Sequence, residues 1–159
     1  MRVFGMTVIQ DFIWNLLTKN RDKNCATWLY NDEIHHSLRR ESTAEWLFKS
    51  WKRGRKYGLV ATGMTQEETD LTLTQQSRTL ISNSEFIMLY RHQEQDIPAL
   101  LEMIDLSDEQ TSDLLRCDPG TGLFKAGNAI LQFNNKLPEN TLLYKTMSTS
   151  VGESHEQAG

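Results

Sequence analysis

The chain has 159 residues, 38% of them hydrophobic and 24% charged, enough for one domain with its own core and an ordinary balance for a globular protein. This excludes a disordered tail, and no apolar run approaches the roughly 20 residues that a membrane-spanning helix needs. The formal charge of −4 hides an asymmetry: residues 1–58 carry 11 Lys/Arg against 6 Asp/Glu, and residues 59–159 carry 6 against 15. Such halves suit head-to-tail self-association or a basic face meeting nucleic acid if the charges map to separate faces, and otherwise describe a solvated surface.

From Met1 to Leu17, Val8, Ile9, Phe12, Ile13, Leu16 and Leu17 recur at helical spacing and Asp11 interrupts the apolar run, which predicts a core-facing helix rather than a signal peptide. A polar link over 19–24 leads to a strand at 27–31. Residues 42–56 read as a helix opened by a capping box, Ser42 with Glu45, and stopped by Gly58. A short buried strand over 59–64 ends at Thr65-Gln66, a helix is predicted over 67–82, and 85–90 is a third strand. Two short helices follow, the second opened by Ser107-Asp108-Glu109-Gln110. Asp118 to Gly122 forms a turn, and 123–126 and 129–133 flank Gly127-Asn128 as a hairpin. The Ser/Gly/Glu-rich stretch 148–159 reads as disordered. Strands separated by helices predict an α/β fold, with a mostly parallel sheet and an antiparallel hairpin at its edge, in one domain over 1–147.

The chemistry gathers at the C-terminal ends of the first two strands, where parallel α/β sheets bind ligands. Asp32 and Glu33 follow the first, Thr65 and Gln66 the second. One carboxylate there can hold Mg²⁺ through water while the next orients an attacking water or takes its proton. A glutamine can hydrogen-bond that water or a γ-phosphate. P-loop ATPases use this arrangement, yet the chain contains no Gly-x-x-x-x-Gly-Lys-[Ser/Thr] loop. An acidic pair after an apolar strand is by itself weak evidence, since surface Asp-Glu pairs are common. On the intervening helix Ala44, Leu47, Phe48 and Trp51 form an apolar stripe, and Lys49, Lys52, Arg53 and Lys56 a basic face. Arg55 falls on the apolar side, where it must snorkel, pair with a carboxylate, or reach another subunit as an arginine finger.

Other polar residues read as structural. His35-His36 are placed on a helix surface, because adjacent helical residues point about 100° apart and no further ligand is evident. Asp118-Pro119-Gly120-Thr121-Gly122 with Lys125 superficially suggests a phosphate loop, but a hairpin follows it instead of a helix. Trp14, Trp46 and Trp51 read as core; stacking on single-stranded DNA requires them exposed beside the basic face. Cys25 and Cys117 lack metal-ligand spacing and set no disulfide, so a reduced cytosolic protein is the default.

Taken together, several stretches resemble one family. They are Trp14-Asn15-Leu16-Leu17 through Asn20-Arg21, Trp28 to Glu33, Ser42 to Leu47, Trp51 to Gly58, Thr62 to Gln66, Ile81 to Phe86, and Gly120 to Leu123. In this order they resemble the C-terminal part of the TraE/TraC-like conjugative-transfer ATPases of type IV secretion systems. These belong to the FtsK/HerA branch of P-loop ATPases, and the form here is most similar to that of Gram-positive conjugative elements. The resemblance covers residues 7 to 147. It implies a RecA-like core lacking its P-loop strand, assembly into a hexamer with the N-terminal ATPase half and other secretion components, contact with DNA, and a place in the cytoplasm or at the cytoplasmic face of the membrane. Asp32 would be the Walker B acid associated with Mg²⁺ and Glu33 the catalytic base; Thr65 and Gln66 would meet the nucleotide, and Arg53 or Arg55 would reach a neighbouring subunit's ATP. Asn31 and His35-His36 stand where the family pattern is apolar or aromatic. Without P-loop amides and lysine the chain alone is expected to bind ATP weakly and not to hydrolyse it efficiently. A non-catalytic module docking to secretion components or DNA is the alternative.

Overall fold

The computed structural model describes residues 2–66 and 75–147, which fall into two compact units. One comprises the chain up to Glu85 with Gln93–Ser107, the other Phe86–His92 with the chain from Asp108 onward. Half of the helix predicted over 67–82, and the stretch 148–159, lie outside the described residues.

The first unit contains helix α1 (Arg2–Asp22), strand β1 (Thr27–Asn31), the single turn α2 (His35–Leu38), helix α3 (Glu41–Gly54), a 3-10 turn (Arg55–Tyr57), strand β2 (Leu59–Gly63), and helices α4 (Gln75–Ser82) and α5 (Ile97–Leu101). β1 and β2 pair in parallel, from Thr27 opposite Leu59 to Asn31 opposite Gly63. Before the first pair, the Thr27 N–H already donates to Gly58 O. Ile34, Leu38, Ala44, Leu47 and Leu80 make the core, with Trp46 and Trp51 packed against it. The sheet is covered on one face only. Thr27 and Leu59 are buried, whereas Trp28, Tyr30 and Val60 are exposed, the alternation expected of a one-sided sheet. The strand at 59–64, predicted to be buried, is therefore half-buried.

Two expectations for the helices change. The capping box does not form: Arg40 precedes α3 without a side-chain cap, and Glu45 instead pairs with Lys49 one turn on at 2.7 Å. Thr43 supplies the local fastening, donating to Arg40 O at 3.0 Å. Helix α1 is not core-facing along its length, since Val8, Ile9, Phe12 and Leu16 are exposed and Leu17 is fully buried. At 21 residues the helix is about 31 Å long, twice the span of strands of five residues at about 16 Å. Its anchorage lies near its C-terminal end. Trp14 packs on Tyr57, with ring centroids 5.0 Å apart, the Arg21 guanidinium lies over the same ring, and Asn20 Nδ2 donates to Thr27 Oγ1 at 2.9 Å.

The second unit contains β3 (Phe86–Leu89), helix α6 (Asp108–Arg116), β4 (Thr121–Ala126), β5 (Ala129–Asn134) and α7 (Leu142–Met147). Its sheet has the order β3-β4-β5 and is antiparallel throughout. The hairpin forms as predicted, but the third strand pairs antiparallel with it instead of joining a mostly parallel sheet. Short strands encode burial, not pairing direction. Here Gly122 admits the pairing, since a Cβ at that position would run into the Leu89 carbonyl oxygen. Helix α6 packs on β4 through the fully buried Leu114, and Gln132 Nε2 donates to Asp113 Oδ2 at 2.6 Å. Among the described residues no helix is long and apolar enough to cross a membrane, and Cys25 and Cys117 are free thiols.

Candidate functional site

Because β1 and β2 are parallel, their C-terminal ends release two loops side by side. The backbone joins these loops beyond the strands: Met64 N–H donates to Asn31 O at 2.8 Å, and Ile34 N–H to Met64 O at 2.9 Å. Glu33 turns the chain with a left-handed backbone, φ 49°, uncommon for a residue bearing a β-carbon. The Asp32 carboxylate accepts the Glu33 N–H through Oδ1 at 3.0 Å. This turn drives Ile34 inward, 5% exposed, against a strand end kept bare by Gly63. A Cβ on Gly63 would lie 2.7 Å from Ile34 Cδ1.

The loops bring Asp32, Glu33, Thr65 and Gln66 to one end of the sheet. Asp32 and Gln66 are exposed, and Glu33 and Thr65 half-buried. The surprise is His35. It is buried at 3% exposure while His36 is exposed, so the placement of both histidines on the surface is corrected. Its Nδ1 lies 3.1 Å from Glu33 Oε2 and 3.1 Å from Thr65 Oγ1, linking the two loops. Ile34, His35 and Leu38 form one arc of a helical turn and all three are buried, but the sequence does not say which arc faces inward.

Arg53 and Arg55 are exposed and lie elsewhere. Helix α3 descends to Gly58 at the N-terminal end of the strands, so both arginines are separated from Asp32 by about the strand length, roughly 16 Å. Neither pairs with a carboxylate among the described residues. Lys49, Lys52 and Lys56 are exposed as well. Lys49 holds Glu45 below the ordinary glutamate value by hydrogen bond and charge, and Lys136 does the same for Asp118.

Chemically, the loops offer one exposed carboxylate, one half-enclosed carboxylate and an exposed amide. Among the described residues no three His, Cys, Asp or Glu converge to hold a metal directly. An exposed carboxylate such as that of Asp32 is of the kind that can hold Mg²⁺ through its water shell. No protein-family model and no curated protein matches the sequence. The fold is similar to the solved structure of VirB4 of Thermoanaerobacter pseudethanolicus, with a TM-score of 0.71 and 24% sequence identity over 80% of this chain. The matched region is 35% of the VirB4 chain, so this chain spans about a third of that protein.

Proposed function

We propose that this chain forms the acid-bearing part of an ATPase of type IV secretion or conjugation. In this reading residues 1–147 are the C-terminal half of a RecA-like domain and the P-loop strand comes from the N-terminal ATPase half. The observation that carries it is the meeting of Asp32, Glu33, Thr65 and Gln66 at the C-terminal end of a parallel strand pair, in a fold similar to that of VirB4, a type IV secretion ATPase. The bare sheet face with Trp28, Tyr30 and Val60 exposed supports it too, because parallel sheets are ordinarily covered on both faces.

Bound Mg-ATP would supply the phosphoryl group and the charge to be neutralised. Asp32 would hold the cation's water shell, Glu33 would orient the attacking water and accept its proton, and Gln66 would hydrogen-bond near the γ-phosphate with Thr65 beside it. Arg55, or Arg53, is too far to act on the same loops and would serve a neighbouring subunit's nucleotide across the ring. The assembly would work at the cytoplasmic face of the membrane and move DNA or protein through the secretion channel.

The test is Glu33→Gln in the assembled ATPase, read as phosphate release and as transfer in cells. Hydrolysis should fall by about 10²- to 10⁴-fold, the usual share of a general base, with nucleotide binding retained. Wild-type hydrolysis and transfer would instead favour the non-catalytic docking module.

A further inference from the structure

We propose that His35 is a positioning residue that fixes the Glu33 carboxylate and ties it to the Thr65–Gln66 loop; this rests on the reading of Glu33 as the catalytic base. One imidazole nitrogen meets both partners, Glu33 Oε2 and Thr65 Oγ1, each at 3.1 Å. The partners come from different strand ends, so the ring is a side-chain strut between loops that backbone hydrogen bonds also join.

The proton on this nitrogen follows from what faces it. A bare Nδ1 lone pair beside a carboxylate oxygen is repulsive, so Nδ1 carries the hydrogen. That hydrogen is directed at Thr65 Oγ1. Glu33 Oε2 lies at the same distance but off the N–H axis, and this buried oxygen has no directed donor. Its contact with the ring is thus electrostatic, holding one oxygen inside while Oε1 remains as the oxygen available to water. The Glu33 side chain is 35% exposed, enough for such access.

A coupling follows from this sharing. Any displacement of Thr65, one residue before Gln66, leaves the Nδ1 hydrogen without its acceptor, and a small turn of the whole ring then aims it at Glu33 Oε2. The carboxylate would then exchange a loose contact for a directed hydrogen bond. His35 thereby reports the position of the Thr65–Gln66 loop to Glu33.

Two measurements test this. In the ¹⁵N-labelled chain, imidazole spectra should show His35 hydrogen-bearing at Nδ1, with its signals moved by Glu33→Gln and by Thr65→Val. An Nε2–H tautomer, or signals unmoved by Glu33→Gln, overturns the proposal. In the assembled ATPase His35→Phe, which keeps volume without the donor, should lower kcat by about 10- to 100-fold at unchanged KM for ATP, and His35→Asn should recover most of the loss. Equal losses in both variants, or none in either, overturn it. Should Glu33→Gln itself hydrolyse ATP at the wild-type rate, the catalytic reading fails, and the spectra alone decide whether His35 holds that carboxylate.

Discussion

Replacing Gly63 by alanine tests whether the acidic turn is set by packing beneath it. Gly63 is not among the residues with positive φ, so alanine fits the backbone and only its methyl group is at issue. That methyl would stand 2.7 Å from Ile34 Cδ1, about 1 Å inside ordinary carbon–carbon contact. Ile34 is 5% exposed and packed among Leu38, Ala44, Leu47 and Leu80, leaving it no free direction of retreat. Overpacking of this kind costs about 1–3 kcal/mol, offset by about 0.4–1 kcal/mol from the stiffer unfolded chain. The net is up to about 2.6 kcal/mol, and with about 2–4 °C per kcal/mol for a chain of this size Tm should fall by up to roughly 10 °C. Ile34→Val removes Cδ1 and by itself costs about 0.5–1.5 kcal/mol. Since it also removes the clash, the double variant should be more stable than the sum of the single losses allows, by about 1 kcal/mol. Urea and thermal unfolding of the four proteins give the cycle. Additive losses would refute the reasoning.

In the second unit Leu114 is fully buried, and Leu114→Ala should cost about 2–5 kcal/mol, visible as lost amide protection across β3–β5; a loss under about 1 kcal/mol would show that α6 is not what secures the sheet. Lys136 Nζ lies 2.7 Å from Asp118 Oδ2, and its hydrogen bond and charge hold the Asp118 carboxyl below the ordinary value, with a smaller contribution from Arg91. The stability this pair contributes is present above the unfolded aspartate pKa and is lost as pH falls through the lower folded value. Lys136→Met should move the Asp118 titration upward in a carboxyl NMR experiment, less visibly at high salt because the pair is exposed. An Asp118 titration unmoved at low salt would refute the assignment.

The sequence made the local elements legible where side-chain period and turn chemistry agree. The hairpin around Gly127-Asn128 and the solvent face of Lys49, Lys52, Arg53 and Lys56 are such cases. It was silent where an outcome depends on what lies across from a segment. The apolar residues of α1 have a helix's spacing whether or not anything covers them, and Val8, Ile9, Phe12 and Leu16 are exposed. Phe86 to Leu89 has a strand's composition in either direction of pairing, and the contact with β4 depends on the missing side chain of Gly122. The loops carrying Asp32, Glu33, Thr65 and Gln66 could be placed together from the parallel arrangement alone. The role of His35 could not, since adjacent histidines look alike until one knows which side of the turn Ile34 takes.

The order of the acidic pair then acquires a physical meaning. The aspartate comes first, and its short side chain reaches only the next backbone N–H, that of Glu33, at 3.0 Å. This bond opposes the left-handed backbone of Glu33, which costs about 1–2 kcal/mol, and a hydrogen bond to a charged group contributes about 1.5–3 kcal/mol. Burial of Ile34 adds to the same side, about 1.5–3 kcal/mol for a fully enclosed side chain. The glutamate comes second, and its longer side chain can fold back from the turn to place Oε2 beside His35. With the two exchanged, glutamate would be poorly suited to bracing the adjacent N–H and aspartate too short to return to the imidazole. The two carboxylates thus have unlike surroundings: Asp32 braces the turn from solvent, and Glu33 is held with Oε2 enclosed beside His35.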